Sequence, residues 1–270
     1  MAYFINDTVD SLNLSSFHAR YGVDGPRNQP FHPAMMVKVM VYAHAAGTFS
    51  SRKIARKLHE DIAFRVLAAD NFPAHRTTRE FRALHLAEFT ELFVQVVRLA
   101  REMGLAKLGT IVAAQVVNTS SDVQQLPVVL SAVKANMDEA PGQVLADAGY
   151  RSKAVMAQLA IDQPETKLVI ALGREGKALA KPRDEKRYPH TTAMAMAMAM
   201  AMAMAAKFET EQCKLDYTKR KWIAKPPNGW IKSVLGSRQF SMRGLKKANA
   251  EFKLVCMALD LRRMGAMRIG

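Results

Sequence analysis

Arg52, Lys53, Arg56 and Lys57 fall at helical spacing just after a Gly47-Thr-Phe-Ser50 turn, and Lys246 and Lys247 open a second basic run near the C-terminus. Guanidinium and ammonium groups grouped on one face are suited to phosphate contact, because each contact releases condensed counterions. The competing reading of the first four is a solvated face on an ordinary helical bundle. The whole chain carries a net charge of +15, with 39 Lys and Arg against 24 Asp and Glu. The excess is uneven: residues 1–107 carry +4, 108–166 carry −3, 167–206 carry +4 and 207–270 carry +10. A polyphosphate partner fits this balance, as do ribosome-associated and membrane-surface roles. Two cysteines, Cys213 and Cys256, are too few for a disulfide framework, and neither has metal-ligand spacing. No apolar run is long enough to span a membrane, and Met1-Ala-Tyr-Phe-Ile-Asn-Asp7 lacks the pattern of a secretory signal, so a cytoplasmic protein is expected.

The elements that must position these residues change character along the chain. Residues 1–29 read as irregular, with Gly22, Gly25 and Pro26 as breakers and Pro30 just beyond. Residues 30–107 read as a small helical domain. Its first helix is opened by Pro33 and closed by Gly47. A second helix is expected from Ser50 or Ser51 to about Ala69, with Ile54, Leu58, Ile62 and Val66 on one face. A third is expected from a Thr77-Thr-Arg-Glu80 capping box to Met103, with Leu84, Leu92, Val96 and Leu99 in its core. The basic second helix has the form of one that enters a DNA groove.

From residue 108 the pattern becomes strand, helix, strand, helix, strand: Ile111–Val117, Asp122–Met137, Val144–Tyr150, Ser152 to about Ala160, and Lys167–Leu172. That order predicts an α/β layer with a partly parallel sheet, hence an α+β chain with an α/β core. Residues 173–192 read as a polar insertion and 193–206 as a low-complexity alternation of Ala and Met, a strand period written in helix formers. Helices return after Pro226-Pro227, first around Trp230–Leu235 and then through Leu245, Phe252, Val255, Cys256 and Leu259.

Three ordered segments together resemble the DDE-class transposases of bacterial insertion sequences. Pro30–Gly47 with Ser50–Leu58 and Thr77–Arg82 is similar to the family's helical N-terminal domain. Ile111–Asn118, Ser121–Leu126 and Val144-Leu-Ala-Asp-Ala-Gly-Tyr150 are similar to part of its catalytic core. Tyr217–Lys221, Gly229–Lys232 and Arg243–Leu245 are similar to its C-terminal segment. The resemblance implies a ribonuclease-H-like core over residues 108–265, and phosphoryl transfer at DNA ends with Mg²⁺ held by three acids. Asp147 matches the second acid and would be the surviving catalytic and metal-binding residue; on the residues alone it simply begins a turn. No acid precedes Ile111, where Leu108-Gly109-Thr110 leads straight into the expected strand. Lys225-Pro226 stands where the family opens a helix with Glu-Pro, and Glu209 and Glu211 lie outside that helix.

The resemblance therefore implies a truncated ribonuclease-H-like mixed sheet and an insertion-sequence transposase lacking two of three metal-binding acids. Whether it is an enzyme stays open: family members cleave and join strands, while this copy is expected to be inactive. DNA at the element's terminal repeats, a second copy of the chain or an intact transposase would be its partners, and the nucleoid its location. The alternatives are a non-catalytic basic nucleic-acid-binding or regulatory protein, and a decayed product without a role.

Overall fold

The structure, a computed structural model, describes residues 1–21, 31–105, 109–150, 152–171, 202–204, 206–207 and 209–269. The expected insertion at 173–192 and most of the Ala–Met tract lie outside the described residues, as do Leu108, Leu172, Gly22, Gly25, Pro26 and Pro30. The elements in chain order are α1 (Ala2–Ser11), α2 (Ser15–His18), α3 (Pro33–Ala45), α4 (Ser51–Glu60), α5 (Ile62–Leu67), α6 (His75–Leu84) and α7 (Leu86–Glu102). These are followed by α8 (Gln125–Met137), β1 (Gln143–Ala146), α9 (Lys153–Asp162), β2 (Lys167–Ile170), α10 (Glu211–Gly229) and α11 (Leu245–Ile269). The chain is α+β, mostly helical with a small parallel sheet. It divides into two compact units, one made of residues 1–118 and 227–270, the other of 119–226.

The first unit is helical and takes its last helix from the far end of the chain. α3 is apolar over most of its circumference, interrupted by Lys38, which pairs with Asp10 at 2.7 Å, and it is buried from Met35 through Ala45 on nearly every side. α11 and α1 pack against it, and α11 also packs along α7. Pro33 sits in the first turn of α3, and Gly47 follows its end at φ +71, where an added Cβ would meet the Leu235 carbonyl oxygen at 2.7 Å.

Residues 1–29 are not irregular throughout. Ile5 and Val9, four apart, bury one face of α1, and Phe17 of α2 stacks among Phe81, His85 and Phe89 with centroids 5.1–6.1 Å away. The helix expected from Ser50 to Ala69 is two helices. Asp61 is extended at φ −124, ψ 120, and its carboxylate caps α5 by accepting from Ala63 N–H at 3.0 Å. Ile54 and Leu58 are therefore fully buried, while Ile62 is 79% exposed and Val66 is exposed with it. The third expected helix is likewise two. α6 begins at His75, so Thr77 lies inside it and caps nothing, and the chain breaks at His85. That break sets His85 in the core, where it pairs with the Tyr21 hydroxyl at 3.0 Å, and leaves Leu84 exposed.

Residues 111–117 do not form the expected strand. Backbone groups of Ile111 and Val116 are met by α11 side chains. Asp260 Oδ1 accepts from Ile111 N–H at 3.0 Å, Asn249 Oδ1 accepts from Val116 N–H at 2.6 Å, and Asn249 Nδ2 donates to the Val116 carbonyl at 2.9 Å. Two β-branched residues, Ile111 and Val116, thus find side-chain partners without a sheet.

The second unit holds β1 and β2, paired in parallel with Gln143 opposite Lys167 and Ala146 opposite Ile170. The crossover helix α9 is capped by Ser152, whose Oγ accepts from Val155 N–H at 3.1 Å. Leu126, Leu130, Ala146, Val155, Leu159 and Ile170 form its core. α10 leads out of this unit. The helix expected after Pro226-Pro227 is instead continuous with α10, which contains both prolines in its final turns. Neither proline can donate to the preceding turn. The helix widens directly afterwards into a π turn, Trp230–Val234, closed by Leu235 N–H donating to the Trp230 carbonyl at 2.9 Å.

Candidate functional site

In the second unit β1 ends at Ala146 and the chain turns through a 3₁₀ segment, Ala148–Tyr150, which leaves Asp147 at the strand's C-terminal end. Asp147 Oδ1 accepts from Gly149 N–H at 3.0 Å, an Asx-type turn contact. Oδ2 accepts from Arg220 Nη1 at 3.2 Å. Half of the Asp147 side chain is exposed, whereas Arg220 is more covered and lies over the Tyr217 ring at 5.2 Å. α10 runs beside β1: Gln143 donates to Asp216 at 3.4 Å at one end of the strand, and Arg220 reaches Asp147 at the other. Burial pushes the Tyr150 phenol pKa up, and the charges of Asp122 and Asp147 add to the shift. Asp122, expected only to start a helix, is thus a second carboxylate near this corner.

Lys225 is exposed on α10, and Glu211, in the first turn of the same helix, is paired with Lys214 at 2.7 Å. Among the described residues no group of three or more His, Cys, Asp or Glu side chains is placed to hold a metal ion. Divalent hard cations need several oxygen donors. Asp147, already bound by a guanidinium, and nearby Asp122 are joined by no third acid, His or Cys among the described residues, so the donor set at this corner does not fit such an ion. What the corner can do is hold β1 to α10 through an ion pair.

The basic residues lie in the first unit. Ile54 and Leu58 anchor α4, which turns Arg52, Lys53 and Arg56 outward and leaves Lys57 half-buried. Arg56 pairs with Glu60 at 3.4 Å, one turn on. Lys246 and Lys247 are exposed in the first turn of α11. The structure brings Arg52 and Lys247 to one open cleft of about 620 Å³, together with His75, Arg79, Arg82 and Arg243. Lys53, Arg56, Lys57 and Lys246 do not line it. Arg79 and Arg82 were not singled out from the sequence; their three-residue spacing within α6 was the available signal.

Among the described residues no helix is long and apolar enough to cross a membrane. The family model described as Transposase domain (DUF772) matches residues 1–84, and the one described as Transposase DDE domain matches residues 182–265. The cleft draws its walls from both matched segments, while β1, Asp147 and β2 lie between them. No curated protein matches, and no solved structure does.

Proposed function

The chain belongs to the DDE-class transposases of insertion sequences, and on that premise we propose that this copy still holds DNA but has lost the metal-dependent cutting step. The family's reaction needs divalent ions held by acidic side chains, with Mg²⁺ the expected ion. One observation carries the loss: Asp147, the only acid that matches the family's set, is bound by Arg220, while Lys225 stands at the expected glutamate. An ammonium there repels a cation and offers no lone pair while protonated.

In this reading residues 30–107 are the DNA-holding domain and 108–265 a shortened catalytic core. β1, α9 and β2 are what is left of a ribonuclease-H-like sheet, consistent with their parallel pairing through a helical crossover. The net charge of +10 over residues 207–270 and the exposed cations of α4 supply the attraction. Its DNA is the element's terminal repeat, bound by a homo-oligomer or beside an intact transposase at the nucleoid.

Two assays on the full chain test this. A gel shift on a duplex carrying the inverted repeat that flanks the gene should show binding that weakens steeply with salt. A nicking and strand-transfer assay with Mg²⁺ or Mn²⁺ should show no product. Nicking by the wild-type chain that disappears in Asp147→Ala overturns the loss of catalysis, and absence of binding at low salt overturns the DNA-holding role.

A further inference from the structure

We propose that the cleft between the start of α4, α6 and the Ser241–Arg243 turn is a phosphate pocket that grips one backbone phosphate of duplex DNA. The inference rests on the DNA-holding reading above and names the atoms that would do the holding. All of its walls belong to the first unit.

The pocket has donors of two kinds. α4 is ten residues long, and its N-cap residue Ser50 makes no side-chain capping bond. The N–H groups of its first turn have no intrahelical acceptor, and the positive end of the helix dipole sits at the same place. Ser50, Ser51 and Arg52, at this end, line the cleft. A phosphate accepts from such groups without side-chain rearrangement.

The second, independent feature is Arg82. It is only 3% exposed yet lines the cleft, and its Nε has no hydrogen-bond partner. Nη1 donates to the Phe49 carbonyl at 3.0 Å, which fixes the guanidinium beside the α4 N-terminus. A buried guanidinium with an unused donor is costly unless an acceptor arrives. Glu251, 3.9 Å from Nη1, supplies its counter-charge but stands beyond hydrogen-bond distance, so it leaves the Nε donor unused. That carboxylate is occupied elsewhere: it accepts from Ser241 N–H at 3.0–3.1 Å, from Ser241 Oγ at 2.7 Å and from Met242 N–H at 3.1 Å. Glu251 therefore builds the facing wall, and that wall presents Arg243 and Lys247 to the same space.

The sign of the cleft follows from its residues. Arg52, Arg79, Arg82, Arg243 and Lys247 face one lining acid, Glu80, which lies 3.8 Å from Arg79. Arg52, Arg79 and Arg243 are exposed at the rim, so the pocket is open to a long polyanion. A phosphodiester brings one charge and several acceptors, which suits a helix terminus combined with a guanidinium fork.

The test uses the full chain and a 20-base-pair duplex, with affinity followed over a salt series by fluorescence anisotropy. The double variant Arg52→Gln/Arg79→Gln changes only rim side chains and should melt like wild type. It should bind about tenfold more weakly at 0.1 M salt, and the slope of log affinity against log salt should fall by about one, as expected for one lost phosphate contact. Arg76→Gln and Lys232→Gln, exposed cations outside the cleft, should stay within about twofold. Equal losses in all variants, no loss in the double variant, or a slope change of two or more overturns the pocket. If the wild-type chain fails to bind duplex at all, the DNA-holding reading falls, and inorganic phosphate decides the pocket alone. It should raise the wild-type Tm above that in chloride at matched ionic strength and leave the double variant unmoved; no phosphate-specific rise overturns the pocket.

Discussion

Arg220 Nη1 donates to Asp147 Oδ2 at 3.2 Å, so the carboxylate that ends β1 is neutralised by the same helix that carries Lys225. Because Asp147 is half exposed, the pair contributes little to stability. Asp147→Asn is therefore expected to cost less than about 1 kcal/mol, read as a small shift in the urea midpoint. Lys225→Glu, alone or with Arg220→Gln, is expected to leave Mg²⁺-dependent nicking at background, since it adds one acid to a site that lacks another. Product formation by either variant would show that the donor set needed only this repair.

Glu251→Gln is expected to be much more harmful. The substitution removes a 3%-exposed carboxylate that accepts from Ser241 and Met242 and lies beside buried Arg82. Leaving the guanidinium without a counter-charge should lower unfolding free energy by about 3 kcal/mol, measured by urea denaturation. A loss under about 1 kcal/mol would mean the buried charge of Arg82 is compensated elsewhere.

Asn249→Ala is expected to release the extended segment that α11 holds. Two hydrogen bonds join Asn249 to the backbone of Val116, at 2.6 and 2.9 Å. Their loss should cost about 1–3 kcal/mol and speed amide exchange at Val116 while exchange within α3 changes only with global stability. Unchanged protection at Val116 would contradict the clamp.

Asp260 gives a pH signature. Burial raises its pKa to about 7, opposed by the Ile111 N–H hydrogen bond and by Arg263. A carboxyl whose folded pKa lies above its unfolded one stabilises the fold when protonated, and that contribution is lost as pH rises from about 4 to about 7. His44 runs the other way: burial, with the charge of Arg82, lowers its pKa to about 3, so its contribution is lost as pH falls from about 6.5 to about 3. The two slopes oppose over pH 4–6.5. Asp260→Asn keeps an acceptor for Ile111 and removes one slope. Its stability relative to wild type should rise by about 1.4 kcal/mol per pH unit between pH 4 and 7 and then level off. A pH-independent difference would contradict a buried, protonated Asp260.

What the sequence discloses here is what local chemistry decides. Pro33, Gly47 and Ser152 mark helix ends through their own backbone and side-chain properties, and each is found in that role. The interruptions at Asp61 and His85 are tertiary. Asp61 exchanges a helical turn for a cap in the middle of the four-residue repeat Ile54, Leu58, Ile62 and Val66, and His85 leaves the helix to reach Tyr21 inside the helix expected from Thr77 to Met103. The β-branched run at 111–117 has strand composition, but its hydrogen-bond partners are side chains of α11, invisible to any window. The basic residues of α4 were legible as a group, whereas the cleft was not, because its other wall is supplied by Ser241–Arg243. In the second unit the acid was legible only by resemblance, and the guanidinium bound to it only from the structure.

The first unit is made of two chain pieces separated by residues 119–226. Closing that loop carries an entropy that grows only with the logarithm of its length. The fourteen residues of the Ala–Met tract, 193–206, all fall inside it. Adding them to the loop raises the closure cost of the first unit by roughly 0.1 kcal/mol. A repeat that lengthens there by replication slippage is therefore almost silent for the cleft and for the helices around it. Loss of α11 is not, because a ribosome that stops before Leu245 leaves α3 and α7 without the helix that covers them.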